Sequence, residues 1–175
     1  AAAIVKAFRD GKTVIGICGG YQMLGMEVCD PQHVEGTIDA LPGLGLLHVR
    51  TTMQGEKVTR QVQFSFLDSP ATCTGYEIHM GETELLSGNA STLNTLTSGN
   101  ADGVHVDSRC FGTYIHGILD NAVVIDHLLA PFQSQLQTRT FDYREFKEEQ
   151  YNLLADHVRR YVDMEKVYEI LDVRF

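Results

Sequence analysis

The 175 residues carry 43% hydrophobic and 21% charged side chains and a formal net charge of −9 at pH 7. That length suffices for one domain with a packed core, burying roughly 70% of the unfolded chain's surface, and the acidic balance argues against nucleic acid or an anionic membrane as the main partner. No apolar run approaches the roughly 18 residues of a membrane span, the first eight residues lack the basic flank of a signal peptide, and Cys18, Cys29, Cys73 and Cys110 show no metal-binding spacing, so they read as reduced thiols of a cytoplasmic protein without a metal site.

Residues 1–10 read as the end of a helix stopped near Gly11, so the chain is expected to be part of something longer. Residues 13–18 read as a buried strand and 19–28 as a helix ended by Asp30-Pro31. Pro31, Gly36, Pro42, Gly43 and Gly45 mark 31–45 as a loop. Segments near 46–53, 57–66, 73–80, 83–87, 102–107 and 110–115 are short and rich in β-branched and aromatic residues, which predicts strands. The polar stretch from Leu85 to Gly103 reads as an exposed hairpin or mobile loop. Asn121 is placed to cap a helix over 122–129, Asp142 to open a capping box for the helix behind it, and residues 164–171 read as a last short helix. Helix–strand–helix, then many strands, then helices predicts an α/β domain with a mixed sheet spanning 1–175.

The strongest chemical signal lies in Thr13 to Gly25, where an apolar strand ends at Cys18, followed by Gly19-Gly20 and a helical pattern. A sharp strand-to-helix turn pushes a nucleophile outward, glycines leave room for it, and a helix N-terminus favours thiolate over thiol. A buried structural cysteine is the competing account for a lone thiol. A thiolate nucleophile needs a base. Of seven histidines, His33 and His48 lie in or beside the loop after the first helix. His127 and His157 fall on helices, and His105 is expected to face outward between Val104 and Val106. His116 ends the strand Cys110 to Ile115 and precedes Gly117, at the kind of rim where α/β folds carry chemistry. His79, in Gly75-Tyr76-Glu77-Ile78-His79-Met80-Gly81, is the other strand-borne candidate. A hydrogen-bonded structural role is open to both.

Three ordered motifs, Gly16-Ile17-Cys18-Gly19-Gly20-Tyr21-Gln22-Met23-Leu24-Gly25, Gly75-Tyr76-Glu77-Ile78-His79-Met80-Gly81 and Gly112-Thr113-Tyr114-Ile115-His116-Gly117, closely resemble the C-terminal glutamine amidotransferase domain of the cobyric acid synthases. The tail around Leu154-Ala155-Asp156 and Met164-Glu165-Lys166 resembles it too, so the likeness covers nearly the whole chain. The resemblance implies a flavodoxin-like class I amidotransferase fold, with a mixed, mainly parallel sheet flanked by helices and lacking its first strand. It implies that Cys18 attacks the side-chain amide of glutamine, with His116 as its proton partner. Gly19 would supply an oxyanion N–H and Gln22 would help hold the substrate; His79 is a further candidate to hold it. It also implies a separate N-terminal synthetase domain of the same polypeptide that uses ATP and Mg²⁺ and binds most of a corrinoid acceptor, adenosylcobyrinic a,c-diamide. No cofactor is expected in this chain, where no glycine-rich phosphate loop occurs.

Many class I amidotransferases place Glu two residues after the histidine; here that position is Ile118, so no third catalytic member is named. A free amino acid presents a carboxylate, which makes Lys57 and Arg60 candidates to hold it. The alternatives are a related amidotransferase acting on another acid, of cobyrinic a,c-diamide synthase or cell-wall type, and a non-catalytic domain of the same fold. The paired Cys18 and His116 speak against the last.

Overall fold

A computed structural model describes residues 1–86, 90–132 and 143–171. The chain divides into two units, Ala1–Ser134 and Gln135–Phe175.

In the first unit, helix α1 (Ala2–Arg9) ends before Gly11, whose φ of +83° turns the chain into strand β1 (Val14–Ile17). Helix α2 spans Gly19–Leu24 and is shorter than the sequence pattern predicts. Residues 27–29 instead form strand β2 (Glu27–Cys29), because they pair in parallel with Arg50, Thr51 and Thr52 and Met26 N–H donates to Val49 O at 2.8 Å. Tertiary pairing here overrides a local helical pattern. Strand β3 (Ala40–Pro42) lies inside the expected loop and pairs with β2.

The four strand segments predicted between 46 and 87 merge into two long ones, β4 (Val49–Phe66) and β5 (Thr72–Leu85). They form one antiparallel pair with a register shift between Met53 and Val58. Strand β6 (Ser91–Leu96) occupies the stretch read as an exposed loop, with Leu93, Asn94 and Leu96 buried; residues 87–89 lie outside the described residues. Strands β7 (Ala101–Asp107), β8 (Cys110–Thr113) and β9 (Ile115–His116) follow, then a 3₁₀ turn (Ile118–Asp120) and helix α3 (Ala122–Leu129). In β7, Val106 is exposed and His105 half-buried, the reverse of the expected alternation.

The strand order is β1-β8-β7-β6-β4-β2-β3, with β5 bridging β4 and β9. The sheet is mixed, but the expected dominance of parallel pairing is absent: among the described residues two pairings are parallel (β1·β8, β2·β4) and six antiparallel. The physical reason is the β4–β5 hairpin and the β6–β7–β8 meander, whose short connections permit only antiparallel neighbours.

Alternation along β1 and β8 builds two cores. Val14 and Cys110 join Tyr21 and Leu24 of α2 and Phe8 of α1 on one face, while Ile15, Ile17 and Phe111 join Phe64, Phe66, Leu93 and Val124 of α3 on the other. Asn121 makes no cap hydrogen bond to α3. Its amide instead clasps Thr74, accepting from Thr74 N at 2.9 Å and donating to Thr74 O at 3.0 Å, and also donates to Gly117 O and Ile118 O. This ties the start of β5 to the turn behind His116.

The second unit holds helices α4 (Tyr143–Tyr161) and α5 (Met164–Ile170). Asp163 caps α5 by accepting from Lys166 N–H at 3.1 Å. Asp142 lies outside the described residues. Among the described residues no helix is long and apolar enough to cross a membrane.

Candidate active site

Cys18 occupies the turn between β1 and α2 with φ +54° and ψ −117°. A non-glycine residue held there costs about 1–3 kcal/mol, so the surroundings must over-determine it. They do. Ile17 pairs with Thr113, Cys18 N–H donates to Thr113 O at 2.9 Å, and Cys18 O accepts from Gln22 N–H at 3.2 Å. Helix α2 lies directly on β1, because a Cβ on Gly16 would stand 2.7 Å from Gly20 C and O and from Leu24 Cδ1. The half-buried thiol donates to Ile78 O at 3.3 Å.

A cavity of about 680 Å³ opens over the sulfur. Its wall contains Cys18, Gly19 and Gln22 from the elbow, Ile78 and His79 from β5, Lys57 from the β4 irregularity, and Asp30 and Glu35 from the loop after β2. The structure thus gathers five of the seven expected site residues, Cys18, Gly19, Gln22, Lys57 and His79, around one space. Asp30 shapes that loop. Its carboxylate accepts from the N–H groups of Val34 (2.7 Å), Glu35 (2.9 Å) and Gly36 (3.1 Å). Burial opposes its charge, but these three bonds and the nearby His33 hold the carboxyl below the usual aspartate range.

The two strand histidines stand differently. His79 Nδ1 lies 2.8 Å from Gly81 O, which makes Nδ1 the protonated nitrogen, and its ring stacks on Tyr114 at 3.9 Å. His116 is outside the cavity lining; its ring stacks on Tyr76 at 5.1 Å, and its Nε2 is buried with no hydrogen-bond partner. His116 pairs with Tyr76 on β5, two residues from the Ile78 carbonyl that receives the Cys18 thiol, a spacing of about 7 Å along a strand.

Arg60 does not reach the cavity. It is paired with Glu77, whose side chain is 4% exposed, and both line a separate space of about 840 Å³. An exposed cation beside a buried carboxylate is held by that charge, so Arg60 is no longer a candidate for substrate carboxylate. Among the described residues no group of three or more His, Cys, Asp or Glu side chains could hold a metal ion.

The sequence model of the CobB/CobQ-like glutamine amidotransferase domain matches residues 1–124. The chain belongs to that family. It is 62% identical over 172 residues to a cobyric acid synthase of Bacteroides fragilis and 56% identical over 173 residues to one of Phocaeicola vulgatus. Each match covers 98% of this chain but 35% of the relative, so the chain spans about a third of the length of the curated relatives it matches. A solved glutamine amidotransferase superposes with a TM-score of 0.53 at 17% identity, covering 74% of this chain and 66% of that one, a likeness of fold.

Within this amidotransferase domain, sequence reasoning missed Asp30, Glu35 and Tyr114. Asp30 was legible only as a helix stop beside Pro31. Tyr114 lies inside a motif whose histidine drew the attention, yet its hydroxyl meets Gln22 Nε2 at 3.3 Å. Asp102 was also missed. Buried on β7, it accepts from Thr113 Oγ1, from Asn94 Nδ2 at 2.9 Å and from Tyr114 N–H at 3.0 Å. Burial pushes its carboxyl up against the pull of these donors.

Proposed function

We propose that this chain is the glutaminase domain of a cobyric acid synthase, releasing ammonia from glutamine for amidation elsewhere in a longer polypeptide. The observation that carries this reading is the strained Cys18 elbow opening onto a cavity that also holds Gln22 and Lys57. Cys18 gives its proton to His116 and attacks the side-chain carbonyl of glutamine. The C–S bond forms, the C–N bond breaks, and the imidazolium returns the proton to the departing nitrogen. Water then cleaves the γ-glutamyl thioester to glutamate. Gly19 N–H, in the first turn of α2 where backbone donors lack intrahelical partners, faces the developing oxyanion. The unpaired buried Nε2 of His116 supports its role as base, since such a nitrogen rarely persists without a use. Lys57 meets the substrate carboxylate. ATP and Mg²⁺ belong, on this reading, to a synthetase part of the polypeptide that binds the corrinoid acid.

A second reading exchanges the histidines, because His79 lines the Cys18 cavity and His116 does not. His116→Asn should abolish glutamine hydrolysis while His79→Asn mainly raises KM; the opposite pattern would assign the base to His79. The function itself is tested by Cys18→Ala in the full-length protein. Glutamine-dependent amidation should vanish while ammonia-dependent amidation with ATP persists, since ammonia is the nucleophile at the second site. Loss of both in a folded protein would refute the reading.

A further inference from the structure

We infer that Tyr114 is a positioning residue that turns the Gln22 side chain so that its carbonyl oxygen receives the α-ammonium of substrate glutamine. The inference rests on the glutaminase reading and deepens it by assigning which end of Gln22 meets which group of the substrate.

A chain of polar contacts runs away from the cavity. Gln22 Nε2 donates to Tyr114 OH at 3.3 Å, Tyr114 OH lies 2.7 Å from Thr83 Oγ1, and Thr83 Oγ1 lies 2.7 Å from Thr51 Oγ1. Gln22 heads this chain as a donor, and each hydroxyl beyond it can both accept and donate, so every member finds a partner. The phenol stays neutral and able to donate, because burial pushes its pKa up. Its ring cannot swing away: His79 covers one face at 3.9 Å and the Tyr21 ring meets it edge-on at 5.2 Å. The backbone is shaped for the contact as well. A Cβ on Gly81 would stand 2.5 Å from Gln22 Nε2, 2.7 Å from Thr51 Cγ2 and 3.0 Å from Tyr114 OH, so this place admits the Gln22–Tyr114 contact only while residue 81 has no side chain.

An amide whose nitrogen is committed to Tyr114 presents its oxygen to the cavity that Gln22 lines. A carbonyl oxygen accepts only, and free glutamine carries one cationic donor, its α-ammonium. Lys57, in the same cavity, has the complementary sign for the carboxylate. The two ends of the amino acid are thereby told apart.

The test compares hydrolysis of glutamine and of glutaramate, which lacks the α-amino group, by the full-length protein and by Tyr114→Phe, Thr83→Val, Thr83→Ser and Gly81→Ala. Tyr114→Phe keeps both ring contacts and removes one hydroxyl. It should raise KM for glutamine on the order of tenfold, leave kcat within about twofold, and shrink the preference for glutamine over glutaramate by a similar factor. Gly81→Ala should reproduce this, Thr83→Val should do so in part, and Thr83→Ser should restore it. The rate of Cys18 alkylation by iodoacetamide, which needs no ammonium site, should not move. An unchanged KM in Tyr114→Phe, or a raised KM with undiminished discrimination against glutaramate, overturns the inference alone. A fall in kcat together with slower alkylation overturns it in favour of a structural role. Absence of glutamine hydrolysis in the unsubstituted protein overturns the glutaminase reading and this inference with it.

Discussion

Gly16→Ala is the sharpest perturbation of the elbow. The added methyl would stand 2.7 Å from Gly20 C and O and from Leu24 Cδ1, against about 3.5–4.0 Å for carbon atoms at rest, so α2 must rise from β1 by close to 1 Å. Overpacking of this kind costs about 1–3 kcal/mol, and the reduced freedom of the unfolded chain returns about 0.4–1 kcal/mol. A net loss of about 1–2 kcal/mol lowers the Tm of a unit of this size by roughly 3–10 °C. The effect on turnover is larger than the effect on stability, because Cys18 is joined to both elements that move apart. Its amide is held by Thr113 at the sheet and its carbonyl by Gln22 on the helix. A displacement of about 1 Å at a reacting group costs up to about 10²-fold in rate. The control is Gly20→Ala, where an added methyl meets nothing within 4 Å and the residue is helical, so stability should hold or rise. Differential scanning calorimetry and a coupled glutamate assay read both quantities. Gly16→Ala with unaltered Tm and unaltered glutamine hydrolysis would refute the account of the elbow as a packing-imposed strain.

Limiting iodoacetamide should modify Cys18 first, because the competitors are suppressed. Cys110 has no exposed surface and burial pushes its thiol up to about 11, leaving roughly one thiolate in a thousand at pH 8; burial also raises Cys73 and, with Glu27 beside it, Cys29. Peptide mapping that finds Cys29, Cys73 or Cys110 labelled ahead of Cys18 would remove the nucleophile assignment. Lys57→Ala should raise KM for glutamine several-fold, at the low end for a charge-assisted bond because Lys57 is exposed, and spare ammonia-driven amidation; an unmoved KM discards its role. Asp30→Asn tests the cavity loop through pH. The folded carboxyl lies below its unfolded value, so its contribution is complete above about pH 4 and is lost as pH falls through the folded value. The gap between wild-type and variant denaturation midpoints should close as pH falls below about 4, and a gap that widens over that range contradicts it.

Most of the site was legible because its residues sit at points of local constraint. A strand, a cysteine and two glycines specify a turn by sterics alone, and the turn is where Cys18 stands. Gln22 follows from one helical turn, and β1, α1 and α3 from period and punctuation. What was illegible depends on partners distant in sequence. Residues 27–29 carry no strand signal of their own and become β2 by joining β4. Asn94 looks like a loop residue until Asp102 and Thr113 accept from its Nδ2 in the interior. Arg60 and Lys57 are equivalent cations three residues apart. Only the β4–β5 register, which sets Arg60 opposite Glu77, separates a paired charge from one that faces the cavity.

The buried carboxylate of Asp102 shows why these scattered pieces act together. Thr113 gives its carbonyl to Cys18 N–H, its hydroxyl to Asp102 and, as acceptor, takes Ile115 N–H at 3.0 Å. Asp102 also takes Tyr114 N–H. The step from β8 to β9 is therefore fixed at three consecutive residues. On one side of that step stands the strand that seats Cys18. In it lies Tyr114, which holds Gln22, and on the other side is His116, whose following turn is clasped by Asn121. Cys18, Gln22 and His116 thus all hang from one short run of backbone. Asp102 and its donors fix the middle of that run, the packing of α2 on Gly16 fixes Cys18, and Asn121 fixes the turn after His116. A site built this way tolerates change in its loops, where Asp30 accepts from three loop N–H groups, and resists change at Thr113 and Tyr114, whose polar groups are tied to Asp102, Cys18 and Gln22.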